Sequence, residues 1–151
     1  MDFHHLRQSR TIGPLTYHVE PLGFLDGRRG LVRLSKLLGP ALTALGSHEG
    51  KVTEQALAGA LGALVTNLTD EDLAYFQALF EKRSEVEFPD GKKPLVGDAI
   101  RSGLFGGQPE KGSLLDYFAW LAFCLQVTYS DFFSALGSVK GEILGPGKVS
   151  P

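Results

Sequence analysis

Cysteine is nearly missing from this chain. Cys124 is the one cysteine in 151 residues, which excludes an internal disulfide and any zinc site built from several thiolates. An excess of either charge is missing too. The 15 basic and 17 acidic residues leave a formal charge of −2, so there is no electrostatic case for a nucleic-acid or membrane-surface binder. Long apolar runs are absent: the longest, Tyr117 to Leu125, is about half the ~20 residues a membrane span needs. The first residues, Met1 to Arg7, lack the basic region and apolar core of a signal peptide, so a soluble, cytosolic protein is expected. A chain of 151 residues makes one ordinary domain, burying roughly 70% of the surface its unfolded form exposes. With 43% hydrophobic and 21% charged residues, neither disorder nor a coiled coil is indicated.

Recognisable chemistry is equally scarce. His4 and His5 are adjacent, and no pair among His4, His5, His18 and His48 has the i, i+4 helical spacing of a metal site. Cys124, between Phe123 and Leu125, has no nearby cation to lower its pKa and reads as an inert core thiol. The stretch Gly145 to Ser150 superficially resembles a phosphate loop. Glu142 stands where its leading glycine should be, and no helix follows. Glu85, Glu87 and Asp90 read as solvated carboxylates of a strand and turn. No catalytic residue, metal site or cofactor is therefore expected.

What is present is a mostly α (α+β) pattern: a small helical domain with an N-terminal β-hairpin and a minor second hairpin. Residues 8–20 alternate, and Gly13-Pro14 suits a two-residue type II′ turn that would pair Ile12 with Leu15 and Arg10 with Tyr17. Asp26 is placed to cap a helix reaching about Leu45, with Leu31, Leu34, Leu38, Ala41, Leu42 and Leu45 on one stripe. Pro40 should kink or break it after Gly39. Thr53 begins a second helix along Leu57, Leu61, Leu64 and Leu68, in which Gly59 and Gly62 imply a close neighbour. Thr69-Asp70-Glu71-Asp72 is a capping-box start for a third, with Leu73, Phe76, Leu79 and Phe80 toward the core. Val86-Glu87-Phe88 alternates like a strand, Pro89 to Lys92 is a turn, and Pro94 confines the return strand to an edge. Residues 102–112 have the composition of a mobile loop. The expected division is one globular domain over residues 1–137 and a flexible tail over 138–151.

The densest feature lies in the last third. Between Leu114 and Leu136 there is no Lys, Arg, Glu or His, and Asp116 and Asp131 are the only charges. A helix from about Ser113 to Val127 and a shorter one from Ser130 to Leu136 are expected, buried on nearly all sides by the domain or by another protein. About half of this segment must be plain core. A second feature is a basic stripe, Arg29, Arg33 and Lys36 at i, i+4 and i+7, preceded by Arg28. Such a stripe could grip phosphates, but four cations without interleaved aromatics make a weak nucleic-acid signal, and it reads first as a solvated helix face or a docking face for an acidic partner.

The order of segments resembles the tail assembly chaperones of long-tailed bacteriophages over roughly residues 12–137. A Tyr17-His18-Val19 hairpin leads into a helix carrying Gly27-Arg28-Arg29 and Leu31-Val32-Arg33-Leu34, closing at Leu37-Leu38-Gly39-Pro40-Ala41-Leu42. A Thr69-Asp70-Glu71-Asp72-Leu73 helix follows, and then the run from Leu121 through Phe132-Phe133. That run is the most specific part, although Thr128-Tyr129 stands where Asn-Phe is more usual. The resemblance implies a non-enzymatic protein of the host bacterial cytoplasm that coats the tape measure protein, keeps it soluble and recruits tail-tube subunits. Such chaperones are absent from the finished virion, and many have a frameshifted long form. The alternative is a structural tail component, of terminator or connector type. The expected partner-binding residues are Tyr117, Phe118, Trp120, Leu121, Phe123, Tyr129, Phe132 and Phe133, with Arg29, Arg33 and Lys36 second. Self-association is expected; nucleic acid and membrane are not.

Overall fold

The structure, a computed structural model, describes residues 6–37 and 68–144, with side chains described as far as Asp131. The Gly39-Pro40 break and the Thr53 helix lie outside the described residues, as do the side chains of Phe132 and Phe133.

Strands β1 (Gln8–Ile12) and β2 (Leu15–Val19) form an antiparallel hairpin with Ile12 opposite Leu15, Arg10 opposite Tyr17 and Gln8 opposite Val19. Gly13 has φ +58°, which a residue with a side chain rarely adopts, and Pro14 fixes the other central position. Alternation sends Ile12, Leu15, Tyr17 and Val19 into the core. The next segment becomes α1 (Phe24–Leu37). It starts two residues before Asp26, which therefore lies in its first turn and is not its cap. Helix α2 (Asp70–Phe80) begins at a complete capping box: Thr69 Oγ1 accepts from the Asp72 N–H, and Asp72 accepts from the Thr69 N–H. Phe76 and Phe80 are fully buried, with Leu73 and Leu79 packed around them.

Strand β3 (Ser84–Glu87) does more than open the expected second hairpin. It adds to β2, Tyr17 opposite Val86, giving one three-stranded sheet in the order β1-β2-β3. The return segment after the Asp90-Gly91 turn folds back on β3 as a loose hairpin: the Phe88 N–H donates to the Lys92 carbonyl, the Val86 N–H donates to the Pro94 carbonyl, and Glu85 bridges Leu95, while Pro94 has no N–H with which to extend the ladder. A short helix, α3 (Val96–Arg101), follows that the sequence pattern did not suggest; the Gly97 N–H docks it on the Glu81 carbonyl.

Residues 102–112 are not the free loop their composition suggests. The N–H of Gly112 donates to the Leu104 carbonyl and that of Gly107 to the Gly112 carbonyl, closing a small knot. Leu104 is buried, and Phe105 lies between Tyr17, Tyr117 and Trp120. The chain then enters α4 (Leu114–Leu144), a single helix of 31 residues. A second capping box starts it: Ser113 Oγ accepts from the Asp116 N–H at 3.2 Å, and Asp116 accepts from the Ser113 N–H at 3.0 Å. The expected end near Val127, a separate helix from Ser130 and a stop at Leu136 are all corrected. Thr128 and Tyr129 do not interrupt the helix, because their polar atoms bond to other segments. Thr128 Oγ1 accepts from the Leu22 N–H at 3.3 Å, and the Tyr129 hydroxyl donates to the Gly27 carbonyl at 2.9 Å. With those tertiary partners the helix has no reason to break there.

The fold is thus a sheet whose inner face packs on α4, with α2 and the front of α1 against the same helix.

Candidate partner-binding surface

The aromatic helix is mostly the chain's own core. Trp120, Leu121, Cys124 and Leu125 are fully buried, Phe123 is 2% exposed and Tyr129 4%. Trp120, Leu121, Phe123 and Tyr129, expected to meet a partner, are instead covered from within. The sheet lies on one side, α2 on another, the Phe105 loop over Trp120, and α1 at Tyr129. Arg10 closes the Phe123 side, its guanidinium 4.5 Å from the ring centre. Gly30 makes the α1 contact possible: a Cβ there would collide with the Tyr129 hydroxyl. Burial pushes the Tyr129 hydroxyl well above its ordinary pKa, with lesser contributions from Tyr75 and Asp26, in keeping with its role as donor to Gly27.

Tyr117 and Phe118 are half-buried. The Tyr117 hydroxyl donates to Gln77 Oε1 at 2.8 Å, and its pKa is pushed up to about 12, chiefly by burial and then by Glu81. The two rings pack edge to face, 5.4 Å apart. One turn earlier, Leu114 and Leu115 are 70% and 76% exposed. Among the described side chains of α4 the exposed apolar surface therefore sits at its start, ahead of the buried aromatics.

The basic stripe divides. Arg33 is committed internally: its Nε lies 3.1 Å from Asp72 Oδ1 and its guanidinium 4.5 Å from the Tyr75 ring centre. Asp72 is held below the usual carboxylate range, first by the Thr69 hydroxyl and then by Arg33. Arg28, Arg29 and Lys36 are exposed, together with Phe24 (76%), Leu25 (56%) and Val32 (56%) on the same helix. Sequence reasoning missed these three apolar residues. Phe24 and Leu25 preceded the expected helix start, and Val32 falls outside the leucine stripe.

One constellation has the look of chemistry. On the outer face of the sheet, Ser9 Oγ lies 2.6 Å from His18 Nδ1, and His18 Nε2 lies 3.0 Å from Glu87 Oε1. Its origin is register: Ser9 is directly opposite His18, and Glu87 is the diagonal neighbour on β3. Glu87 is held below its ordinary pKa by the His18 hydrogen bond and then by Lys93. A serine nucleophile needs a substrate pocket and oxyanion donors beside it; Ser9 lies on exposed strand, where the three side chains stitch the sheet together. Cys124 is also inert, its thiol pushed up by burial and 3.6 Å from Ser84 Oγ. Among the described residues no group of three His, Cys, Asp or Glu converges to hold a metal ion, and no helix is long and apolar enough to cross a membrane.

The fold is a small α+β domain with exposed apolar side chains at the starts of two of its helices. A family model for phage tail assembly chaperone proteins matches residues 14–140, and the chain belongs to that family. Proteins of this family are generally non-enzymatic and act in tail assembly inside the infected host, with other tail proteins as partners. No curated protein and no solved structure matches the chain.

Proposed function

We infer that this protein binds the tape measure protein, keeps it soluble in the bacterial cytoplasm and recruits tail-tube subunits while the tail is built. The observation that carries this reading is that, among the described residues, large apolar side chains stand in water outside the core. Phe24, Leu25, Leu114 and Leu115 are each more than half exposed at the starts of two helices. A tape measure protein is a long helical client whose apolar faces aggregate unless covered, and such faces are covered by apolar helix surfaces of another chain. The client surface is assigned to the start of α4, where Leu114 and Leu115 adjoin half-buried Tyr117 and Phe118, and to the outer face of α1. Phe132 and Phe133 are retained as candidates further along α4. In the absence of client the start of α4 favours self-association.

Quantitative mass spectrometry of infected cells and of purified virions tests the reading. The protein should co-purify with the tape measure protein from cells in mid-assembly and be lost from finished particles. A fixed copy number in the virion would instead identify a terminator or connector component.

A further inference from the structure

The exposed side of α1 has an order that a merely solvated face does not need. Phe24, Arg28, Val32 and Lys36 follow one another at i, i+4, i+8 and i+12, so apolar and cationic side chains alternate along a single ridge. Leu25 and Arg29 repeat the pair on the adjoining row. Phe24 is 76% exposed and Leu25 and Val32 56% each, and the Arg28 guanidinium lies 5.9 Å from the Phe24 ring centre. The one acid of the helix, Asp26, lies on the other side, near Tyr129. Arg29 and Lys36 have no ion-pair partner among the described residues, whereas Arg33, one step around the helix, is paired with Asp72. The opposite face is spent on the core, with Gly30 and Leu34 buried.

We propose that this ridge is a docking surface for an acidic amphipathic helix of a partner protein, deepening the chaperone reading on which it rests. Charge complementarity selects the occupant. Three apolar side chains supply a strip for a partner's leucines or phenylalanines, and the interleaved cations meet glutamates or aspartates flanking that strip. A nucleic-acid backbone would use the cations and leave Phe24, Leu25 and Val32 wet. A second copy of this chain would have to offer an acidic helix with an apolar stripe of its own. Helix α2 is acidic in its first turn, but its apolar residues Phe76 and Phe80 are buried.

The test uses the full chain and a synthetic helix-forming peptide of about 20 residues, long enough to hold a helix, with leucines on one face and glutamates beside them. A matched peptide carries lysine at every glutamate position. The glutamate peptide should bind and the lysine peptide should not. Binding should fall at least about tenfold in the double variants Arg29→Glu/Lys36→Glu and Phe24→Ser/Val32→Ser, with melting temperatures unchanged because all four positions are on the surface. Equal binding of both peptides, undiminished binding by both variants, or tighter binding to phosphatidylglycerol vesicles or duplex DNA than to the glutamate peptide would overturn the proposal. Solubility of the tape measure protein is scored separately. A wild-type chain that binds the glutamate peptide but leaves the tape measure protein insoluble refutes the chaperone reading and keeps the surface. A chain that dissolves its client but ignores the peptide refutes the surface alone.

Discussion

Replacing Phe123 with alanine and Leu115 with serine distinguishes core from contact surface on one helix. Phe123 is 2% exposed, with Arg10 stacked on its ring 4.5 Å away; Leu115, two turns earlier, is 76% exposed. Truncating a buried phenylalanine removes its transfer free energy and leaves a cavity, a loss of about 3–5 kcal/mol. That is a large fraction of the ~5–15 kcal/mol that holds a domain together. At roughly 2–4 °C per kcal/mol for a chain of this size, Phe123→Ala should melt about 10 °C below the wild type. Leu115→Ser removes an apolar side chain that is already in water, and stability should stay within about 0.5 kcal/mol. Urea denaturation followed by circular dichroism gives both numbers, with an unchanged slope showing that the same surface unfolds. Client binding should respond in the opposite order: lost in Leu115→Ser and, below its melting temperature, retained in Phe123→Ala. If Phe123→Ala cost less than about 1 kcal/mol, the aromatic helix would not be the core, and assigning it to the chain's interior would be wrong.

Gly30→Ala should destabilise by about 1–3 kcal/mol, because the new Cβ occupies the place of the Tyr129 hydroxyl and forces it off the Gly27 carbonyl. Adding Tyr129→Phe should recover part of that loss; strict additivity in a double-mutant cycle would contradict the contact. Thr69→Ala removes the α2 cap and should cost about 0.5–2 kcal/mol at neutral pH. Asp72 supplies a pH test. Its carboxyl is held down in the folded state, so the stability it contributes is complete above the unfolded pKa of about 4 and is lost as pH falls through the lower folded value. Asp72→Asn should therefore be less stable than wild type at pH 7 and lose less on acidification, the two curves converging at low pH; parallel curves would contradict the coupling.

Features set by neighbours in sequence were legible before the fold was known. Gly13-Pro14 and the alternation around it specify a hairpin, and Thr69 with Asp72 specifies a helix start. Features set by distant neighbours were not. Nothing local tells β3 to join β2, since a strand's partner is a tertiary choice. The expected break between Val127 and Ser130 disappears once Leu22 and Gly27 are seen to take up the Thr128 and Tyr129 groups. The glycine-rich stretch 102–112 reads as loose by composition, yet one phenylalanine, Phe105, anchors it among Tyr17, Tyr117 and Trp120; an isolated aromatic in a glycine loop was the available signal. The burial of Trp120, Leu121, Phe123 and Tyr129 was not legible for the same reason. The density of aromatics in α4 showed that the helix must be buried, but not that the sheet, α2 and Phe105 would bury it. The alternating ridge on α1 was hidden because the helix starts at Phe24, ahead of the apparent cap at Asp26.

The central claim is that this chain keeps the tape measure protein in solution through surface outside its own core. Co-expression of the two proteins, with the tape measure protein quantified in supernatant and pellet, measures it directly. The account predicts a soluble co-purifying complex with the wild-type chain, and a pelleted client when the exposed apolar residues of α1 and α4 are changed to serine in an equally stable variant. A tape measure protein that pellets alike with and without the wild-type chain would contradict it.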